Sequence, residues 1–168
     1  MVNKGMPAVS ATRPIWHTFR VDASFEKQHG ITGIGLVLRA THKPGRDGVV
    51  IARFGEAYAD LPLQAAEPLA ILRALEIAAE QGHRFLRIRS DCNRMRTALK
   101  DDYQAGVGHN RRGLQGQILR LARQFDQVKF AWIPRRKNQE AHHLARKAVR
   151  GCRPIVRVDL SELLKPSI

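Results

Sequence analysis

The sequence predicts an α/β fold in which a partly parallel sheet of five strands is covered by helices on both faces. Three strand-like segments follow one another within the first 60 residues, and strand-like and helix-like segments alternate after that point. Strands joined by tight turns pair antiparallel, whereas strands separated by helices pair parallel. We therefore expect the first three strands to be antiparallel and the later ones to be parallel.

The first three strands are marked by alternation and by the turns between them. HTFRVDASF alternates strictly, so Phe19 and Val21 face one way while Asp22 lies among the polar residues facing the other. ITGIGLVLRA and VVIARFGEAYA are predicted as two more strands, separated by the turn-rich THKPGRDG. These three short strands predict an antiparallel meander.

The first helix is predicted over Glu67–Gln81, followed by a terminating Gly82. Its apolar residues recur at helical spacing, as Leu69, Leu72, Leu75 and Ala79. Pro68 disfavours helical geometry in the residue before it and cannot donate a helical hydrogen bond. Pro68 therefore predicts a late start for this helix.

Two strands and three helices are predicted in the second half of the chain. RFLRIRSD and QVKFAWI are the strands, and NRMRTALKDD, RRGLQGQILRLARQF and NQEAHHLARKAVR are the helices. Apolar stripes support the last two helices: Ile118, Leu121 and Ala122 in one, and Ala141, Leu144, Ala145 and Ala148 in the other. One domain is expected over residues 17–150, between a flexible leader (1–16) and an extension (151–168) whose VRVDLSELL is left unassigned.

The composition predicts a polyanionic partner. The 168 residues include 29 Lys and Arg against 15 Asp and Glu, a formal net charge of +14, and such a charge attracts nucleic acid. Cys92 and Cys152 show no metal or redox spacing, which favours a reducing compartment, the cytoplasm. The sequence contains no apolar run near the roughly 20 residues of a membrane span and no signal peptide at the N-terminus.

Three acidic residues are expected to converge. Asp22 lies on the polar side of the first strand, Asp91 ends the fourth strand, and Glu67 begins the first helix. Strand ends and adjoining helix starts are where open α/β sheets build their sites. Converging carboxylates repel one another, and hard oxygen ligands suit Mg²⁺ or Mn²⁺. Taken singly, Glu67 and Asp91 are more often ordinary helix-start and strand-end residues.

An ordered set of motifs resembles a known family. VDAS, GITGIGLVL, AAEPLAILRALEIAAEQG, RIRSD and IPRRKNQEAHHLA occur in this order over roughly residues 18–148. Together they resemble the ribonuclease H superfamily, type 1, and in particular the short bacterial and plant branch related to reverse-transcriptase ribonuclease H domains. The resemblance implies a five-stranded mixed sheet and cleavage of the RNA strand of RNA/DNA hybrids through two Mg²⁺ or Mn²⁺ ions. It also implies that Asp22, Glu67 and Asp91 bind these ions, with Asp22 bridging both.

His142 departs from the pattern of that family. Similar members have aspartate at this position, and the register is fixed by Asn138 and by Leu144 and Ala145. His142 is therefore predicted as the fourth metal ligand, and imidazole suits Mn²⁺ better than Mg²⁺. The alternative is a packed or solvated histidine without a role. Glu140 lies about 200° away around the helix and is not expected to replace the missing acid, which also weakens a transposase or integrase interpretation.

Nucleic-acid contacts are expected from the basic clusters near the last two helices. A hybrid would be recognised by its shape and 2′-hydroxyl groups, with little sequence specificity. The residues predicted to contact it are Ser24, Asn93, Arg111, Arg112, Arg135, Arg136, Lys137 and Asn138. Two alternatives to a nuclease stay open: a non-catalytic protein that binds hybrid or other duplex through a degraded site, and an adaptor in a larger nucleoprotein complex.

Overall fold

The structure is a computed structural model that describes residues 12–43 and 45–151. The predicted leader up to residue 11 and the unassigned VRVDLSELL lie outside the described residues. A 3₁₀ turn, Arg135–Lys137, precedes the last helix. The strands and helices are β1 Trp16–Glu26, β2 Ile31–Thr41, β3 Val49–Ala59, α1 Leu63–Glu80, β4 Phe85–Ser90, α2 Asn93–Ala105, α3 Gly113–Ala122, β5 Gln127–Trp132 and α4 Gln139–Arg150.

The five strands form one mixed sheet in the order β3-β2-β1-β4-β5. β2 pairs antiparallel with both β1 and β3, whereas β4 pairs parallel with both β1 and β5. This arrangement confirms the predicted antiparallel meander and the parallel second half. The parallel register places Val21 of β1 opposite Ser90 of β4, which brings the two central strands to a common end.

Helices cover both faces of the sheet, as predicted. Helices α1, α2 and α3 share one core with the alternating apolar residues of the strands, including the fully buried Phe19 and Val21 of β1. Helix α4 packs on the opposite face against β1, β2 and β3. Asp22 therefore lies on the α4 side of β1, because its neighbours Val21 and Ala23 point into the main core.

The predicted start of α1 is wrong. The helix begins at Leu63 rather than at or after Glu67, and Pro68 is a buried residue inside it. Pro68 lies in the second turn, so the carbonyl of Gln64 loses its helical donor. Gln64 is an exposed residue, so water can reach this carbonyl. The helix also has a wider buried surface than the leucine spacing predicted, because it packs between the sheet and α3. Ala79, predicted on the apolar face, is exposed.

Smaller differences concern the ends of other elements. Trp16 is the first residue of β1 and therefore belongs to the sheet, one residue before the predicted domain start. α2 continues to Ala105, where Gly106 caps it with a left-handed backbone at φ 71°. No helix within the described residues combines the length and the apolarity that a bilayer crossing requires.

Candidate metal centre and its surroundings

The three predicted carboxylates do come together. Each of Asp22, Glu67 and Asp91 offers one oxygen, and these oxygens all lie within 4.8 Å of one another. Asp22 and Asp91 directly follow the paired residues Val21 and Ser90 on adjacent parallel strands. Glu67 is carried by the early part of α1, which packs on β1. Glu67 thus reaches the site from inside a helix rather than from its first residue.

The three carboxylates are partly buried and close together, so ionising all of them at once costs free energy. Burial raises the pKa of Asp22, a hydrogen bond with His142 opposes this shift, and the nearby Asp91 adds to it. Burial first, and then the charge of Asp22, raises the pKa of Glu67 to about 8. Within the described residues, Oε2 of Glu67 is buried and has no hydrogen-bond partner. A buried acceptor without a donor, beside two other carboxylates, fits a divalent cation.

His142 lies beside this group without being a member of it. Its Nδ1 is 2.7 Å from Oδ2 of Asp22, and its side chain is 18% exposed. The carboxylates that share the 4.8 Å cluster are Asp22, Glu67 and Asp91 alone among the described residues. The contact with Asp22 agrees with the predicted placement of position 142 at the site. The role of His142 as a metal ligand stays a prediction.

Two glycines of β2 let α4 approach the sheet closely enough for this contact. A Cβ atom at Gly35 would lie 2.0 Å from the carbonyl oxygen of Ala141, and one at Gly33 would lie 2.1 Å from that of Ala145. Gly35 is also the residue paired with Asp22 across β1 and β2. The absence of both side chains therefore sets the distance between the first turns of α4 and Asp22.

Asn138 is a buried residue whose side chain hydrogen-bonds to the site. It is 1% exposed, and its Nδ2 donates to the carbonyl oxygen of Val21 at 2.8 Å and to Oδ1 of Asp91 at 3.5 Å. Asn138 thereby joins the start of α4 to both central strands. This geometry favours a positioning role over the nucleic-acid contact that we predicted. An asparagine at the first position of the predicted helix is the available sequence signal.

Glu140 points away from the carboxylates, in agreement with the helical-wheel argument. Its Oε1 lies 2.5 Å from Nε of Arg53, and its Oε2 lies 3.5 Å from Nη2 of Arg39. Arg39 belongs to β2, and Arg53 belongs to the edge strand β3. Glu140 therefore pairs with arginines of the sheet and does not replace the acid expected at position 142.

An arginine network that the sequence does not indicate holds the basic turn in front of α4. Nη2 of Arg20 lies 2.7 Å from Oδ2 of Asp47, and Nη1 of Arg89 lies 2.6 Å from Oδ1 of Asp47. Nη1 of Arg20 also donates to the carbonyl oxygen of Lys137 at 2.6 Å. Asp47 is 9% exposed. The loop between β2 and β3 thus fixes the Arg135–Lys137 turn next to the site, through a pairing that no local pattern signals.

The other predicted nucleic-acid residues differ in how exposed they are. Arg135, Arg136 and Lys137 are exposed on their turn, and Asn93 and Arg112 are exposed at the starts of α2 and α3. Ser24 is half-buried on β1. Nη1 of Arg111 is 2.6 Å from Oδ2 of Asp102, so this arginine already has an anionic partner within the protein.

The fold and the carboxylate cluster define a ribonuclease H-like domain. Residues 20–148 match the family described as "Reverse transcriptase-like", and the chain belongs to this family, a group of ribonuclease H domains. No curated protein matches the sequence significantly. The recognised resemblance to type 1 ribonucleases H is thus confirmed at the level of family and fold.

Three solved structures illustrate the likeness. Ribonuclease H1 from Halobacterium salinarum is 22% identical, with a TM-score of 0.64 over 82% of this chain and 99% of that chain. The N-terminal ribonuclease H domain of a Mycobacterium tuberculosis protein is 20% identical, with a TM-score of 0.65 over 82% and 95%. LC11-RNase H1 in complex with an RNA/DNA hybrid is 20% identical, with a TM-score of 0.61 over 80% and 97%. At these identities the likeness establishes the fold.

Proposed function

We propose that the protein is a divalent-metal-dependent endonuclease that hydrolyses the RNA strand of RNA/DNA hybrids. The observation that carries the proposal is the convergence of Asp22, Glu67 and Asp91 within 4.8 Å, with the pKa of Glu67 raised to about 8. Carboxylates gathered in this way have a binding function more often than a structural one, because their repulsion destabilises the fold. The complex of LC11-RNase H1 with a hybrid supports the choice of substrate.

The residues present fit two Mg²⁺ or Mn²⁺ ions. Asp22, Glu67 and Asp91 would hold them, and His142 would be the fourth ligand. When bound, such ions activate water, orient the scissile phosphate and stabilise the leaving oxygen. Asn138 keeps Asp91 in place through its amide, and the contact of His142 with Asp22 sets the direction in which that carboxylate points.

The histidine sets the expected metal preference. A neutral imidazole contributes no negative charge, so three carboxylates would balance two dications at a site where the family resemblance implies four. We expect weak activity with Mg²⁺ and better activity with Mn²⁺, which accepts nitrogen ligands more readily.

Binding of the hybrid would be mainly electrostatic. The exposed Arg135, Arg136 and Lys137 lie next to the site and would contact phosphates rather than base edges. With about six phosphate contacts, affinity should fall by roughly 10³ between 50 and 200 mM salt. Sequence preference should be slight, because hybrids are recognised by shape and 2′-hydroxyl groups.

A second candidate function is binding of hybrid or duplex without cleavage. His142 favours it, because this residue occupies the place of an expected carboxylate and already has Asp22 as its partner. A protein of this kind would protect or hold a hybrid while lacking a competent metal site. Both candidates predict binding, and only the nuclease predicts product.

Cleavage of an end-labelled RNA/DNA hybrid separates the two candidates. The protein is incubated with the hybrid in Mg²⁺, in Mn²⁺ and in a chelator, alongside Asp22→Asn and the control Asp60→Asn. Asp60 is exposed, and asparagine tolerates its left-handed backbone at φ 58°. The nuclease predicts metal-dependent RNA products that Asp22→Asn abolishes and Asp60→Asn retains. Undiminished cleavage by Asp22→Asn would show that the proposed site is wrong, and binding without product in either metal would favour the second candidate.

A further inference from the structure

Four basic residues follow one another along the exposed side of α4. We call His143, Arg146, Lys147 and Arg150 the α4 basic row. All four are exposed, and at 3.6 residues per turn they occupy about 100° of the helix circumference. The opposite side of the helix is apolar and packs on the sheet through Ala141, Ala145 and Val149. The row therefore faces solvent along nearly the whole helix.

The cations of this row differ from most arginines elsewhere in the described residues, which have a partner within the protein. Within residues 12–43 and 45–151, no side-chain hydrogen bond or ion pair engages Arg146, Lys147 or Arg150. Arginines elsewhere donate to carboxylates or to backbone carbonyls of the protein: Arg20, Arg39, Arg53, Arg73, Arg84, Arg111, Arg120 and Arg123. The row is therefore a concentration of positive charge that the described part of the chain does not neutralise.

The shape and lining of the surface also suit an anion. The row borders an open surface hollow of about 480 Å³ whose other lining residue is Gly151, with no carboxylate in the lining. An adjacent hollow is shared by Arg146 and Arg150 with Ser24 and Glu26. The carboxylate of Glu26 already accepts hydrogen bonds from the backbone of Gln28 and His29, which also hold the pKa of Glu26 below its usual range.

The row continues directly from the carboxylate site. His142 of the same helix contacts Asp22, and Ser24, two residues beyond Asp22 on β1, lines the hollow next to Arg146. The row extends over about 10 Å at 1.5 Å per residue. Consecutive phosphates of one duplex strand lie closer together than this length. The row is therefore long enough to contact more than one phosphate.

We propose that the α4 basic row is a second phosphate-binding surface, which holds the backbone of a duplex nucleic acid to one side of the carboxylate site. The proposal rests on the proposed function for the identity of the polyanion, but it requires no cleavage. The Arg135–Lys137 turn lies at the other end of α4. The row and this turn would therefore contact the duplex backbone on both sides of Asp22. It would contribute affinity and salt dependence and no base specificity.

The test compares two triple variants that each remove three positive charges. The row variant carries Arg146→Ala, Lys147→Ala and Arg150→Ala and so removes the Arg and Lys charges of the row, and alanine preserves the helix. Arg13→Ala, Lys43→Ala and Arg84→Ala remove three exposed cations near the opposite end of the sheet, where Trp16 pairs with Thr41 and Phe85. Binding to a labelled hybrid is measured by anisotropy in a chelator over a range of salt, so that cleavage plays no part.

We expect the row variant to lower the slope of log K against log[salt] by about 2.7, since each phosphate contact contributes about 0.9. The control variant should change the slope by less than one contact. Equal losses in the two variants, or no binding by the parent protein, would overturn the proposal. The parent protein could also bind the hybrid without cutting it in the cleavage assay, while the row variant binds more weakly. This outcome would contradict the proposed nuclease and support the row as a binding surface.

Vesicles containing anionic phospholipid test the other polyanion that such a row could meet. We expect the row variant and the parent to sediment equally little with these vesicles. Row-dependent sedimentation, combined with unchanged binding of the hybrid, would show that the surface serves a membrane and would overturn the proposal.

Discussion

Nδ1 of His142 lies 2.7 Å from Oδ2 of Asp22, which joins the first turn of α4 to the central strand β1 across 120 residues of sequence. In the metal-free protein this contact relieves a crowded site, because an imidazole can donate to Asp22 where a fourth carboxylate would repel it. The same substitution lowers the charge available to hold two dications. Stability without metal and affinity for metal are therefore opposed at this position.

Replacing His142 with an acid should raise the affinity for metal and lower the stability of the metal-free protein. His142→Asp adds a fourth carboxylate, so we expect Mg²⁺ to bind at least about tenfold more tightly and the Mg²⁺-dependent cleavage rate to rise. The melting temperature without metal should fall. The control is His143→Asp, which places the same charge on the exposed side of α4 and should leave Mg²⁺ binding by titration calorimetry unchanged. Equal gains in both variants would place the fourth ligand position elsewhere.

Metal binding should release a proton from Glu67. Burial and the charge of Asp22 raise the pKa of Glu67 to about 8, so a cation must displace its proton at neutral pH. The apparent metal affinity should then rise about tenfold per pH unit below pH 8 and level off above it. Calorimetry in buffers of different ionisation enthalpy measures the released proton. Glu67→Gln, which has no such proton, should abolish this buffer dependence, and its persistence would locate the proton elsewhere.

The same carboxyl group should make the metal-free fold less stable at alkaline pH. The pKa of Glu67 is raised from 4.5 to about 8 in the folded state, so the folded protein binds more protons than the unfolded chain in this window. The free energy of unfolding should therefore fall as pH rises from 4.5 through 8. Urea denaturation in a chelator should show this decline in the parent and a flatter profile in Glu67→Gln. A steeper decline in the variant would contradict the assignment.

A histidine pair far from the site should give the opposite pH dependence. The rings of His17 and His83 stack with centroids 3.5 Å apart, and burial, followed by the charge of His83, lowers the pKa of His17 to about 4. The folded protein then binds fewer protons than the unfolded chain between pH 4 and 6.5, so stability is lost as pH falls through this window. His17→Gln should flatten the loss in thermal melts. The exposed His109 provides the control variant His109→Gln, which should retain it.

The close approach of α4 to β2 can be tested with two glycines of the same sheet. A Cβ at Gly35 would meet the carbonyl oxygen of Ala141 at 2.0 Å, whereas one at Gly55 would meet its first neighbour at 3.5 Å. Gly35→Ala should cost about 1–3 kcal/mol of stability and move His142 away from Asp22. Gly55→Ala should be tolerated. Similar denaturation midpoints for the two variants would show that α4 adjusts without cost.

Local periodicity accounts for what was predicted correctly in the sheet. In β1 the alternation separated the core residues Phe19 and Val21 from Asp22, because side chains of any strand alternate between its two faces. The placement of Asp91 at the end of β4 and the direction of Glu140 follow from equally local geometry. The start of α1 was mispredicted for a complementary reason. The low helix propensity of proline predicted that the helix would start late. Burial of the helix between the sheet and α3 stabilises it by more than the hydrogen bond that Pro68 loses.

The order of strands and helices could be predicted from the sequence, since each element depends on spacing along one segment. The family resemblance pointed to the three carboxylates and to the unusual residue at position 142. The three-dimensional structure alone shows which charges are already matched. It pairs Arg111 with Asp102, assigns Asp47 to Arg20 and Arg89, buries Asn138 beside Asp91 and leaves the α4 basic row facing solvent. Charge pairing depends on distance through space rather than along the chain, and residues such as Gly35 set that distance by the side chain they lack.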